Sequence, residues 1–298
     1  MQIVPVTDQN SPEFARYCRR YGPEHDSSYS AIEKFQPSSE YPAYLLLKDG
    51  EIAGAVCLLT SAEYRHVRSA RFMIFHVLES DPESYNLLLQ AAFPHLEQFD
   101  TAYAFIPFEN SKTRAVWESL GFKIERSVYL LQRGDEPPLE SSLPEDFQIT
   151  AVEQNDQAAL NHFRTLWNRC YAAPFGFVGV GLEEAQTWFD DASYLPGGLM
   201  LLRRGSVPVG TVSVYRDEEG GTAFIDNLSV ASECRSQGLG RLLLRQAVLF
   251  AQQQGFRKAS LTVNATNERA LRLYLSERFS ILSEIICYNI NGPAGRNP

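Results

Sequence analysis

Apolar, β-rich runs folded about short polar turns recur along the chain. Gly198–Arg203 and Val207–Tyr215 read as two strands joined by Arg204-Gly205-Ser206, and Tyr44–Leu59, YLLLKDGEIAGAVCLL, carries a hairpin signature of the same kind. Thr222–Val230 adds a strand rich in β-branched and apolar residues. The period then changes. Leu243, Ala247, Phe250 and Ala251 fall at helical spacing, with Gly255 where a helix C-cap belongs. Ala259–Val263 is a short buried strand, and Asn264–Asn267 a polar turn with good N-cap residues. Ala270, Leu271, Leu273 and Tyr274 make one apolar face of a second helix, and Phe279–Ile290 closes with strand.

The first half repeats the second. Asn110–Phe122, NSKTRAVWESLGF, aligns without a gap on Asn267–Phe279, NERALRLYLSERF, 157 residues on at both ends. Between the halves Gly134–Glu145, GDEPPLESSLPE, is rich in Pro, Ser and acids and has no periodicity, as a linker would be. The expected organisation is a domain over 1–133, a linker over 134–145 and a second domain over 146–298.

Candidate chemistry sits between the Thr222–Val230 strand and the helix after it. Ile225–Arg241, IDNLSVASECRSQGLGR, runs from strand into a basic, glycine-punctuated turn. A helix start leaves N–H groups unpaired, and the peptide dipoles add positive potential there. Gly238 and Gly240 let backbone approach an anion, and Arg235 and Arg241 add charge. The spacing fails as a P-loop, since no Lys follows Gly240, and as a dinucleotide fingerprint, since Leu243 holds the third glycine position. RxxGxG remains, spanning Arg235, Ser236, Gln237, Gly238, Leu239 and Gly240; taken alone, six such residues are also an ordinary exposed turn.

RxxGxG resembles the pyrophosphate loop of the GNAT superfamily of N-acetyltransferases, and Asn267–Phe279 resembles that family's NxxAxxLYxxxGF signature, departing at Arg278 where the family usually has Gly. The resemblance covers roughly Pro144–Ile290, in the family's order of elements. It implies an α/β (α+β) fold of two tandem GNAT-like domains, each a mixed, mostly antiparallel sheet flanked by helices. It also implies acetyl-CoA as cosubstrate, with no metal. Leu228, Ser229 and Val230 would offer backbone groups to the pantetheine arm, with Val230 N–H on the thioester carbonyl. Asn264 and Asn267 would meet the cosubstrate where the next strand and helix begin, while each also serves as a turn or cap residue.

The first copy lacks this equipment. Ala70–Gln90 has no glycine and no basic cluster after Val77, and it carries Glu79, Asp81 and Glu83, which satisfy helix N–H groups themselves and repel pyrophosphate. Trp117 stands where the second copy has Tyr274. The first half therefore reads as a degenerate copy that does not catalyse.

Acetyl transfer needs a neutral amine, a polarised thioester and a proton for the departing thiolate. Neutralising a Lys-like amine at pH 7 costs roughly 4–5 kcal/mol. Tyr274 is the candidate donor: it matches the tyrosine many GNAT enzymes use as general acid, although helical spacing alone makes it a core residue. Asp226 is the best remaining carboxylate for a base acting through water, and is as readily a solvated strand residue. Thr262 stands where some relatives have a Glu, and Glu268 is a first-turn residue favouring the helix dipole. The resemblance implies an acceptor region over roughly Asn155–Phe189, where Trp167, Tyr171, Phe175, Phe177 and Trp188 could wall an amine, or equally serve as core, beside a loop-like Pro174–Gly181.

Composition narrows the field. The 298 residues suffice for two domains, and 44% hydrophobic with 21% charged residues is globular. The net charge of −9 and the lack of a long basic tract argue against nucleic acid. No apolar run approaches a membrane span, and no signal peptide is evident. The scattered Cys18, Cys57, Cys170, Cys234 and Cys287 suit reduced thiols in a cytoplasmic protein, and the scattered histidines argue against a metal site. The expected function is transfer of acetyl from acetyl-CoA to a small primary amine. The alternatives are a protein N-terminus or lysine as acceptor, and a non-catalytic acyl-CoA sensor or scaffold.

Overall fold

A computed structural model describes residues 1–25, 35–138, 142–172, 179–217 and 221–293. In chain order the elements are β1 (Gln2–Pro5), α1 (Ser11–His25), β2 (Ala43–Lys48), β3 (Glu51–Leu59), α2 (Ala62–His66), β4 (Ser69–Val77), α3 (Pro82–Ala92), β5 (Thr101–Pro107), α4 (Ser111–Ser119) and β6 (Lys123–Arg133). They continue with β7 (Phe147–Ala151), α5 (Gln157–Tyr171), α6 (Leu182–Thr187), β8 (Tyr194–Arg204), β9 (Val207–Arg216), β10 (Ala223–Val230), α7 (Leu239–Gln253), β11 (Ala259–Asn264), α8 (Glu268–Ser276) and β12 (Ser280–Asn291). Every strand and helix expected of the second copy, and the first copy's hairpin and Asn110–Phe122 helix, is among them.

The chain forms two compact units: Met1–Val128 with Ser283–Pro298, and Tyr129–Leu282. This division differs from 1–133, 134–145 and 146–298, because the end of β12 counts with the first unit. It adds an antiparallel strand beside β5, with Ile286 opposite Ile106 and Tyr288 opposite Ala104. Ile286, Tyr288 and Ile290 are buried in the same cluster as Phe72, Phe75, Leu88 and Trp117. The apolar alternation of Ser280–Asn291 marked a strand but not which sheet it would join.

In the first unit the strand order is β1-β2-β3-β4-β5 and then the end of β12, and in the second it is β11-β10-β9-β8-β7, while β6 and β12 each have residues in both units. Pairing is antiparallel at β1–β2, β2–β3 and β3–β4, and at β7–β8, β8–β9 and β9–β10. It is parallel at β4–β5 and β10–β11. Helices cover both faces. In the second unit α7 and α8 pack on the face of Leu202, Val212, Val214 and Ile225, while α5 and α6 pack on that of Leu199 and Leu201. The alternation of those strand residues puts successive side chains on opposite faces, so each face receives its own helix layer.

The parallel ladder between β10 and β11 joins only Ala223 to Ala259 and Phe224 to Ser260. Beyond Phe224 the strands part, while β10 stays paired to β9 as far as Val230. At the parting β10 bulges between Asp226 and Ser229, with Asn227 left-handed at φ 55°. Asn tolerates that conformation better than most residues. The bulge is pinned from β9: Thr211 Oγ1 donates to Asn227 O at 2.7 Å, and Asn227 Nδ2 donates to Ser213 Oγ at 2.9 Å. Buried Thr211 and Ser213 thus satisfy backbone and side-chain groups that the bulge removes from the ladder.

Candidate active site

The loop between β10 and α7 is a one-turn 3-10 helix, Ser232–Cys234, followed by Ser236 at φ 67° and Gly238 at φ 78°. Gly238 is the N-cap of α7 and offers no side-chain cap. Among the described residues nothing accepts a hydrogen bond from the backbone N–H groups of Ser236, Gln237, Gly238, Leu239 or Gly240. Five open donors thus stand at the positive end of a 15-residue helix, an arrangement with the polarity to attract an anion. A Cβ on Gly240 would stand 3.8 Å from Val230 Cγ2 and 3.9 Å from Leu273 Cδ2, ordinary contacts. Protein packing therefore leaves room for a side chain at Gly240.

The basic residues divide in role. Arg235 Nε donates to Val230 O at 3.0 Å, holding its guanidinium at the loop. Arg241 turns to α8, with Nη1 3.0 Å from Glu277 Oε1 and Nη2 3.2 Å from Ser276 Oγ. Arg269, which the sequence did not single out, donates to Ser236 Oγ at 3.2 Å. It lies in the first turn of α8, and only the docking of α8 brings it to the loop.

Around the parting of β10 and β11 stand Asp226, Tyr274 and Tyr171. Tyr274 is 7% exposed, its ring 6.1 Å from Phe279. Burial, and secondarily the Asp226 charge, push its phenol up to about 12. Desolvation by the packed groups around it raises the Asp226 carboxyl above the usual range, against a 2.7 Å bond from Asn227 N–H. The residue is nevertheless exposed, so water limits the energetic weight of that shift. Tyr171 donates to Leu228 O at 3.4 Å, and its phenol is raised by burial and by Asp226 and Tyr274. The sequence placed Tyr171 only in an aromatic wall; its place beside Asp226 comes from the packing of α5 on the sheet.

Ser229 spends its hydroxyl on Thr211 Oγ1 at 2.7 Å, so its backbone is what remains for a ligand. The carbonyls of Leu228 and Val230 already receive Tyr171 and Arg235. Asn267 caps α8 through Ala270 N at 3.2 Å. Asn264 has a buried Oδ1 with no partner among the described residues, an acceptor awaiting a donor. Trp167 packs on Tyr171 and Trp188 at 6.1 and 5.6 Å, joined to the buried Phe163 layer. Phe175, Phe177 and most of Pro174–Gly181 lie outside the described residues.

The first unit builds the corresponding places otherwise. Asp81 caps α3 by accepting from Ser84 N at 2.8 Å. Glu79 pairs with Lys48 at 3.1 Å. Trp117 is fully buried among Phe75, Tyr85, Phe122 and Tyr288.

The second unit thus sets a bulged strand, parting from its parallel neighbour, beside a helix with open N–H groups. Residues 160–279 match the model of the acetyltransferase (GNAT) family. Over its whole length the chain shares the fold of solved GNAT structures, one of them a tandem protein. It is 18% identical to a GCN5-related N-acetyltransferase from Sphaerobacter thermophilus over 97% of this chain and 95% of that one, with a TM-score of 0.71. A tandem GNAT protein from the clavulanic acid biosynthesis pathway is 12% identical over 98% of both chains, with a TM-score of 0.70. Among curated proteins, a mycothiol acetyltransferase from Acidimicrobium ferrooxidans is 27% identical over 211 residues, 65% of this chain. The match spans only 64% of that relative's length.

Proposed function

We propose that the second unit transfers an acetyl group from acetyl-CoA to a primary amine of a small molecule by direct attack on the thioester. The observation that carries this reading is the row of open N–H groups from Ser236 to Gly240, set beside the parting of β10 and β11 where Asp226 and Tyr274 stand. The row suits a pyrophosphate, with Arg235 and Arg269 at its rim. The free edge of β10 suits an extended arm carrying amide groups, and Asn264 Oδ1 would accept from one of its N–H groups.

At the thioester the amine nitrogen bonds to the carbonyl carbon while the carbon–sulfur bond breaks. The nitrogen loses a proton and the sulfur gains one. Asp226 would take the amine proton, directly or through water, its raised pKa bringing it closer to a working base. Tyr274, protonated throughout the neutral range, would give its proton to sulfur. Tyr171 would orient the amine near Asp226.

Incubation with acetyl-CoA and a panel of small amines, following free thiol, tests the reading. Release of thiol that depends on the amine is expected, and Tyr274→Phe should lower kcat about 100-fold. Since burial raises the Tyr274 pKa, loss of the donor should begin only well above pH 10, leaving kcat without an alkaline fall from pH 7 to 10. Tight CoA binding with no turnover on any amine would instead make the protein a CoA-binding sensor.

A further inference from the structure

Glu277 is the most completely buried carboxylate among the described residues, its side chain 1% exposed, and the reaction just described does not use it. Arg245 grips it twice, Nε to Oε2 and Nη2 to Oε1, both at 2.8 Å. Arg241 adds a third bond to Oε1 at 3.0 Å. The Glu277 carbonyl accepts from buried Arg133 at 3.1 Å. The two arginines stand on α7, Arg241 in its first turn directly after Gly240, whereas Glu277 closes α8 three residues beyond Tyr274. One carboxylate therefore ties the helix that begins the anion loop to the helix that carries the phenol.

The chain contains its own control. At the 157-residue spacing that relates the copies, Arg245 corresponds to Leu88 and Glu277 to Leu120. Leu88 is fully buried in the first unit's core and Leu120 packs against that core. The same joint is apolar in the copy that lacks the anion loop and ionic in the copy that has it. Stability does not demand the ionic version, because well-packed apolar groups commonly replace a buried ion cluster without loss. What the ionic version adds is direction: a bidentate guanidinium–carboxylate pair fixes distance and angle, whereas apolar side chains can slide.

We infer that Glu277 is a positioning residue, holding α8 in register with α7 so that Tyr274 faces the thioester sulfur of a ligand anchored at Ser236–Gly240. The inference rests on the acetyl-transfer reading for its consequence, but not for its geometry. Glu277 touches no reacting atom; it acts through the placement of Tyr274.

The test compares wild type, Glu277→Leu and Glu277→Gln in the full-length protein, each also prepared with 3-fluorotyrosine at position 274. Expected for Glu277→Leu are a cooperative thermal transition, a Kd for CoA within about threefold of wild type, and a shifted or broadened fluorine resonance at 274. The kcat should fall at least tenfold with KM for acetyl-CoA little changed. Glu277→Gln keeps a polar partner for Arg245, should lie between the two, and decides the matter if the leucine variant fails to fold. An unchanged fluorine resonance in a folded variant overturns the positioning role, as does an unchanged kcat. If the wild type acetylates no amine, the acetyl-transfer reading falls, and the fluorine resonance still decides whether Glu277 places Tyr274.

Discussion

At the scale of single residues, the sharpest departure from the family signature is Arg278, at φ 68°. Its counterpart in the first copy is Gly121, at φ 93°. Both end a helix in the left-handed conformation that glycine adopts without strain and other residues at a cost of about 1 kcal/mol. Burial weakens the hold of Arg133 on its proton, and the charge of nearby Arg278 adds to that effect. Arg278→Gly relieves strain and repulsion together, and should raise stability by about 1 kcal/mol in a urea or thermal melt without altering acetyl-CoA KM. An unchanged or lowered melting temperature would mean that the Arg278 side chain makes a compensating contact.

At the scale of elements, α3 and α7 show how one motif is made receptive or closed. Both follow the parallel strand of their unit. Asp81 fills the N-terminus of α3 with its own carboxylate, whereas Gly238 leaves that of α7 open. Gly240→Glu places a carboxylate over the open N–H groups of α7. A first-turn Glu complements the helix dipole, and the modest contacts around Gly240 leave space for a Cβ. The melting temperature should therefore hold or rise slightly, while acetyl-CoA KM rises at least tenfold, as steady-state kinetics with varied acetyl-CoA would show. An equal loss of stability and activity would point to a folding defect instead.

At the scale of the whole molecule, the last strand completes the first unit. A fragment of residues 1–133 lacks Ile286, Tyr288 and Ile290 and leaves β5 without its antiparallel neighbour. Burial of three large side chains is worth roughly 5–8 kcal/mol, comparable to the whole stability of an ordinary domain. The fragment should show no cooperative unfolding by circular dichroism. Adding a peptide of residues 280–293 should restore one if the missing strand is the only defect. Among the described residues no helix is long and apolar enough to cross a membrane.

Much of this was legible in the chain. The change of period from strand to helix, the caps at Asn267 and Gly255, the two hairpins and the 157-residue repeat are local patterns, and backbone geometry within a few residues dictates their outcome. The turn at Gly238 was legible for the same reason, while the left-handed Ser236 beside it was not. Other features joined residues far apart in sequence, and no local pattern encodes such a meeting. The alternation of β12 could not say which sheet it would enter. Helical spacing could not say that Arg269 would reach Ser236, that Tyr171 would stand beside Asp226, or that Glu277 would be gripped by Arg241 and Arg245. Sequence alone determined the elements, because short-range sterics and hydrogen bonding are set by neighbours along the chain. The tertiary structure decided the ownership of the last strand and the company of each charged side chain, because both depend on how separate elements share buried space.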